Sequence, residues 1–243
     1  MAIVITVIII GGGIYLVMNP VSIPTEKSEE IEEIKISPCG SSVTFTYKGN
    51  PVTYGIVEHN NMCWLDRNLG ASRVATVLND ASAYGDYFQW GRLDDGHQAS
   101  TSGENTILSI SDEPGHSNFI YGMDNPYDWR SSPNNNLWQG ISGINNPCPN
   151  GWRLPTSAEW NVERLSWSSN DSAGAFASPL KLTVPGFRHH QTAHFTTIGS
   201  YGYYWSSTVS GVSIFNLGLY TNGTSIIPFH RAFAFSVRCL KEK

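Results

Sequence analysis

Charge is scarce in this sequence: Lys, Arg, Asp and Glu supply only 14% of 243 residues, and the 15 basic side chains form no stripe or cluster. Phosphate backbones are held by clustered Lys and Arg, so a chain of net charge -5 without such a cluster excludes nucleic acid as a partner. No CxxC occurs among the four cysteines, which removes the usual spacings of zinc sites and thiol redox centres. The GxSxG, HExxH, Walker and nucleotide-type glycine fingerprints are all missing, so the enzyme classes that show themselves as short motifs have no support. No Lys or Arg precedes Lys27, so a cleaved secretory signal lacks its basic leader and a simple anchor lacks its orienting charge.

The chain is instead rich in residues that pin and turn a backbone. With 12% aromatics, 8 Trp, 23 Gly and 13 Pro, it suits a loop-rich mixed fold of one main domain better than a helical bundle. Residues 2–18, AIVITVIIIGGGIYLVM, carry no charge and end at Asn19-Pro20. As a helix they reach about 25 Å, just short of a hydrocarbon core. The expected element over 1–19 is an apolar N-terminal helix, buried in a membrane before assembly and in a filament core afterwards. The β-branched run Ile3 to Ile10 also permits a strand donated to a neighbour. Residues 20–38, acidic and bounded by proline, read as a linker.

From Val43 to Val57 apolar and polar residues alternate around Gly49-Asn50, the pattern of a hairpin. Trp64, Leu65 and Leu69 are expected in the core, and a short helix is expected between Ala71 and Trp90. Residues 94–147 show little periodicity and read as long loops. Their Asp94, Asp95, Asp112, Glu113, Asp124 and Asp128 hold oxygens enough for a calcium ion, but none falls in a DxDxDG pattern. Loop capping is the favoured reading of these carboxylates, and no cofactor is expected.

The organising stretch is CPNGWRLPTSAEW (148–160). Pro149-Asn150-Gly151 makes a turn, Trp152 and Leu154 are apolar bodies for the core, and Thr156 with Glu159 forms a capping box that starts a helix at Ser157 and carries it to about Leu165. LKLTVPGFR (180–188) reads as a strand. His189, His190 and His194 follow, and metal binding by them has little to recommend it. GYYWSST and the run from Val212 to Cys239 read as successive strands turning at Asn222-Gly223. The four cysteines, Cys39, Cys63, Cys148 and Cys239, favour disulfides over free thiols, with three connectivities open on spacing alone.

CPNGWRLPTSAEW, the later GSYGYYWSST (199–208) and SVRC (236–239), with CWLDRNLGA (63–71) and YGDYFQWGR (84–92) upstream, resemble the Fibrobacter succinogenes major paralogous domain. That family has a C-type-lectin-like fold, related to formylglycine-generating enzymes and similar to the variable proteins of diversity-generating retroelements. The resemblance covers roughly Cys39 to Lys241. It implies an α+β C-type-lectin-like domain with long loops over 39–243, and the pairing Cys39–Cys63 and Cys148–Cys239. It also implies that the copper-binding cysteine chemistry of the enzymes does not carry over, because each cysteine has a place in the disulfide frame.

Residues 209–235 contain no Lys, Glu, Gln, Met or Trp, a repertoire reachable by altering the adenines of an Asn codon. In the retroelement proteins such a stretch lies on the ligand-binding face. The resemblance therefore puts the binding residues at Phe215, Tyr220, Asn222, Phe229, His230, Arg231 and Phe233, about half of which strand alternation turns inward. The expected function is an extracellular surface or pilin-like filament subunit displaying a lectin-like adhesion domain. Its partners are other copies of itself through residues 2–18, the membrane before assembly, and a glycan or protein ligand on another cell. A membrane-anchored lectin-like protein and an enzyme on the formylglycine-generating fold are the alternatives.

Overall fold

The computed structural model describes residues 3–10, 13–20 and 39–242. The chain divides into two units, Met1–Ile36 and Ser37–Lys243. In the first, β1 (Ile3–Ile10) and β2 (Gly13–Pro20) pair antiparallel, from Ile3 opposite Pro20 to Ile10 opposite Gly13. The apolar N-terminal helix expected from the sequence is thus corrected to two strands. All eight residues of β1 are β-branched, a side-chain type that loses rotamer freedom in a helix and gains packing on a pleated surface, and the glycines that follow weaken a helix further. Among the described residues no helix is long and apolar enough to cross a membrane. Residues 21–38 of the expected linker lie outside the described residues.

The second unit is mainly β with two short helices, broadly an α+β arrangement. Its elements in chain order are β3 (Ser42–Tyr47), β4 (Asn50–His59), β5 (Met62–Leu65), β6 (Phe88–Gln89), β7 (Glu104–Asn105), β8 (Phe119–Ile120) and β9 (Trp152–Arg153). The helices α1 (Ser157–Leu165) and α2 (Ser172–Ala177) come next. Then follow β10 (Phe187–Arg188), β11 (Phe195–Thr196), β12 (Gly202–Ser210), β13 (Ser213–Tyr220), β14 (Gly223–His230), β15 (Ala234–Phe235) and β16 (Leu240–Lys241). One sheet has the order β3-β4-β5-β16-β9, a second β12-β13-β14, and a third β11-β10-β15-β6.

Turn chemistry fixes the hairpins, each one residue earlier than the alternation suggests. Lys48 and Gly49 both take positive φ, 51° and 76°, the two-residue turn whose twist suits flanking strands. At the other hairpin Tyr220 faces Gly223, leaving Thr221-Asn222 as the turn. The helix expected after Ala71 is only a single 3-10 turn at Ala81–Ala83, capped by Asp80. The strand expected over 180–188 shrinks to β10, because the backbone before it bonds elsewhere: Thr183 N–H donates to the Tyr204 hydroxyl and Val184 N–H to the Leu78 carbonyl.

The capping box at α1 is formed, with Thr156 Oγ1 accepting from Glu159 N–H and the Glu159 carboxylate accepting from Thr156 N–H. Glu159 also holds Arg153 at 2.8 Å, and Arg153 pairs in turn with Glu242 beyond β16. Trp152, Leu154 and Trp205 lie in one buried cluster with Trp90, Trp129, Trp138 and Phe235. Trp160 lies in a second with Trp64, Tyr204, Leu217 and Leu219. Indole N–H groups tie the loops to this core: Trp129 donates to the Trp90 carbonyl, Trp138 to Arg92, Trp90 to Ser206 and Trp160 to Trp205.

Both disulfides are present in the pairing the resemblance implied, Cys39–Cys63 and Cys148–Cys239. Arg238 next to the second is buried, and among the described residues no carboxylate forms a salt bridge with it. Its guanidinium donates to the carbonyls of Leu65 and Leu180 and to Asn68 Oδ1, and burial pulls its pKa down to about 10.

Candidate binding face

Three segments converge near the end of β14. The chain from Phe229 to Phe235 turns back sharply, Ala232 N–H donating to the Tyr127 carbonyl and Phe233 N–H to His230. The β10–β11 tip closes with His189 N–H on the His194 carbonyl, and the loop around Gly122 is bound to it through Gly122 N–H on the His190 carbonyl. A side chain at Gly122 has no room, since its Cβ would stand 2.5 Å from that of Ala232.

Phe233 is the hub. Its ring centroid lies 4.4 Å from His190, 5.3 Å from His189, 5.3 Å from Phe229 and 5.5 Å from Phe187. Tyr127 sits 5.0 Å from His190 and 4.7 Å from His230. Tyr203 joins the group to Tyr220, 6.0 Å away, and Tyr201 packs on Tyr220 at 5.1 Å. Phe233 and His190 are buried, whereas Tyr127, Phe187, His189, Tyr220, Phe229 and His230 are half-exposed and Tyr201 is 38% exposed. The product is a cluster of partly exposed aromatic and imidazole rings packed around the buried Phe233 and His190.

The structure therefore brings Phe229, His230 and Phe233 together, with Tyr220 attached through Tyr203. Phe215 is half-buried opposite Pro228, at the alternate strand positions and so on the other side of the sheet from Phe229. Asn222 is exposed in the turn at the far end of the hairpin from His230. Arg231 is buried. Its guanidinium lies 4.9 Å from the Trp90 ring centroid and 3.8 Å from Asp128, and its Nη2 donates to Asn135 Oδ1. Burial pulls the Arg231 pKa down and pushes the Asp128 carboxyl up in spite of their proximity, so desolvation outweighs their attraction and Arg231 is enclosed rather than presented at the surface.

The rings the sequence reading did not assign to binding are Tyr127, Phe187, His189, His190 and Tyr201. Their one visible signal was the density of ring side chains after Gly186, in FRHHQ. The acidic loop residues serve local tethering: Asp95 pairs with Arg92 and with His97, each at 2.6 Å, and Asp112 with Arg130 at 2.9 Å. Among the described residues no group of three or more His, Cys, Asp or Glu is arranged to hold a metal ion.

Burial holds His190 down at about pKa 4, though the Gly122 carbonyl 3.0 Å from its Nδ1 opposes the shift. His97 is also held at about 4 by burial and by Arg92, against the pull of Asp95. Both pKa values are depressed, so the folded state takes up fewer protons than the unfolded chain between the ordinary imidazole value and about 4. Stability is therefore expected to fall as pH drops through that window, each histidine adding a slope of up to about 1.4 kcal/mol per pH unit. Thermal melts from pH 7 to 4 on the protein and on His190→Asn check this, and an equal slope in the variant contradicts it.

No family model, no curated protein and no solved structure matches this chain.

Proposed function

We propose that the chain is an extracellular surface or filament subunit whose second unit is a C-type-lectin-like adhesion domain, binding a glycan or protein on another cell. The observation that carries this reading is the ring-lined surface of Tyr127, His189, Tyr220, Phe229 and His230, set on a frame closed by two disulfides. Disulfides belong to oxidising, extracellular compartments. Ring side chains supply large contact area for few rotatable bonds, which suits a binding surface.

The motif resemblance to the Fibrobacter succinogenes major paralogous domain and to retroelement-diversified proteins supports the same reading. No observation favours the enzyme alternative, since all four cysteines are tied in disulfides and none is left as a nucleophile or copper ligand. Residues 2–18 complete the proposal: an uncharged segment of this kind leaves water for a membrane or for other copies of itself, with Ile3–Ile10 and Gly13–Pro20 as strands.

The test compares the protein with a Phe229→Ala/His230→Ala double variant, on a glycan array and on intact cells with and without protease treatment. Losing both rings from the centre of a contact is expected to weaken binding by about thirty-fold or more. Binding unchanged in the variant sinks the proposal.

A further inference from the structure

The five-stranded sheet ends in β3, and no strand among the described residues pairs with its outer edge. The Lys48-Gly49 turn makes Tyr47 and Asn50 a doubly hydrogen-bonded pair, and Ile56 N–H donates to the Ser41 carbonyl at 3.0 Å. Antiparallel pairing alternates, so Val43, Phe45 and Tyr47 direct their backbone groups to β4, while Ser42, Thr44 and Thr46 direct theirs away from it. Sheet edges are ordinarily blunted by Lys, Pro or a bulge. SVTFTY has none of these, and its register against β4 is unbroken.

This edge faces an open cleft of about 440 Å³, lined by Val43 to Thr46 on one side, by residues 146–150 on the other, and by Asp94. The opposite wall offers β3 few donors. Pro147 and Pro149 have no N–H, and Cys148 N–H is already given to Asn146 Oδ1 at 3.1 Å. From Ser42 to Thr46 the outward groups span about 14 Å, the length of a short extended peptide.

We propose that the free edge of β3 is a docking site for an extended peptide segment of a partner protein, which adds as a strand beside Ser42, Thr44 and Thr46 and sets a basic side chain by Asp94. Main-chain hydrogen bonds supply the affinity in such additions. The Asp94 carboxylate accepts from the Lys48 amide and lies in the field of the Lys48 ammonium, but it forms no salt bridge among the described residues and supplies the preference for Lys or Arg. The site is separate from the ring-lined surface and stands without it.

The experiment selects a library of random displayed decapeptides against the full chain and measures the synthesised winners against variants. Winners enriched in Lys or Arg are expected. Thr44→Pro, which removes one outward N–H and leaves the bonds to β4, is expected to weaken them by about tenfold or more, as loss of backbone hydrogen bonds does. Asp94→Asn is expected to weaken them less, and Phe229→Ala not at all. If Thr44→Pro fails to fold, winners N-methylated at alternate residues replace it, with the same loss expected on the unaltered protein. No enrichment, or equal affinity for Thr44→Pro and for N-methylated peptides, overturns the proposal. So does slow amide exchange at Thr44 and Thr46 in the free protein, which would mean that the edge is already covered.

Discussion

Replacing Trp205 by alanine is expected to destabilise the second unit by about 3–5 kcal/mol, the usual cost of deleting a buried indole. Trp205 is fully enclosed, its ring centroid 4.2 Å from that of Phe235, and its N–H donates to the Phe88 carbonyl at 2.7 Å. Its own carbonyl accepts the Trp160 indole at 3.1 Å, and its amide donates to Ser236. The side chain thus joins β12 to β6 and β15, while the backbone of the same residue holds α1 and Ser236, and alanine keeps the backbone bonds but leaves a cavity between the strands. Domain stabilities amount to about 5–15 kcal/mol, so such a loss brings the variant close to unfolding. Leu165→Ala, exposed at the end of α1, should stay within about 0.5 kcal/mol, as surface changes do. Urea denaturation of both variants without reductant decides it. A Trp205→Ala loss under about 1 kcal/mol would mean that these contacts do not hold the fold.

Removing the Cys148–Cys239 bridge by a double alanine substitution is expected to cost about 4–5 kcal/mol, against about 3–4 for Cys39–Cys63, on the loop-entropy account. The first closes 91 residues and the second 24. The larger loop contains both helices and the ring-lined surface except Tyr127, so its bridge limits the unfolded chain most. It also fixes residue 239 beside the turn that opens into Trp152, where β16 pairs with β9. Guanidinium melts of the two double variants rank the bridges. A greater loss from the shorter loop would show that native packing around Cys39 and Cys63, rather than chain entropy, sets their worth.

Much of this frame was legible in the sequence because its signals are local. The Thr156–Glu159 box, the alternation of SVTFTY and of the strands after Gly202, and the heavy residues around Trp152 each act within a few positions, and each became the element expected. Signals that depend on distant partners were not legible. LKLTVP looks like a strand, yet its backbone bonds to Tyr204 and Leu78 rather than to a neighbouring strand. Arg231 looks like a surface contact residue, yet Trp90 and Asp128, remote in sequence, enclose it. The ring-lined surface was half legible: Phe229, His230 and Phe233 belong to a continuous stretch, but Tyr127 and the His189–His190 pair reach it only through folding. At the N-terminus the β-branched run Ile3 to Ile10 outweighed the length that had suggested a helix.

β14 is the outer strand of its sheet, and none of its eight residues is fully buried, whereas β13 beside it buries Ile214 and four residues from Asn216 to Leu219. Strand order thereby settles where a lineage of such proteins has freedom to change. Mutations at Ser225 or Ile227 alter what the surface presents while the neighbouring strand goes on holding the sheet together, so under the proposed adhesion role a new ligand preference can arise without a prior gain in stability.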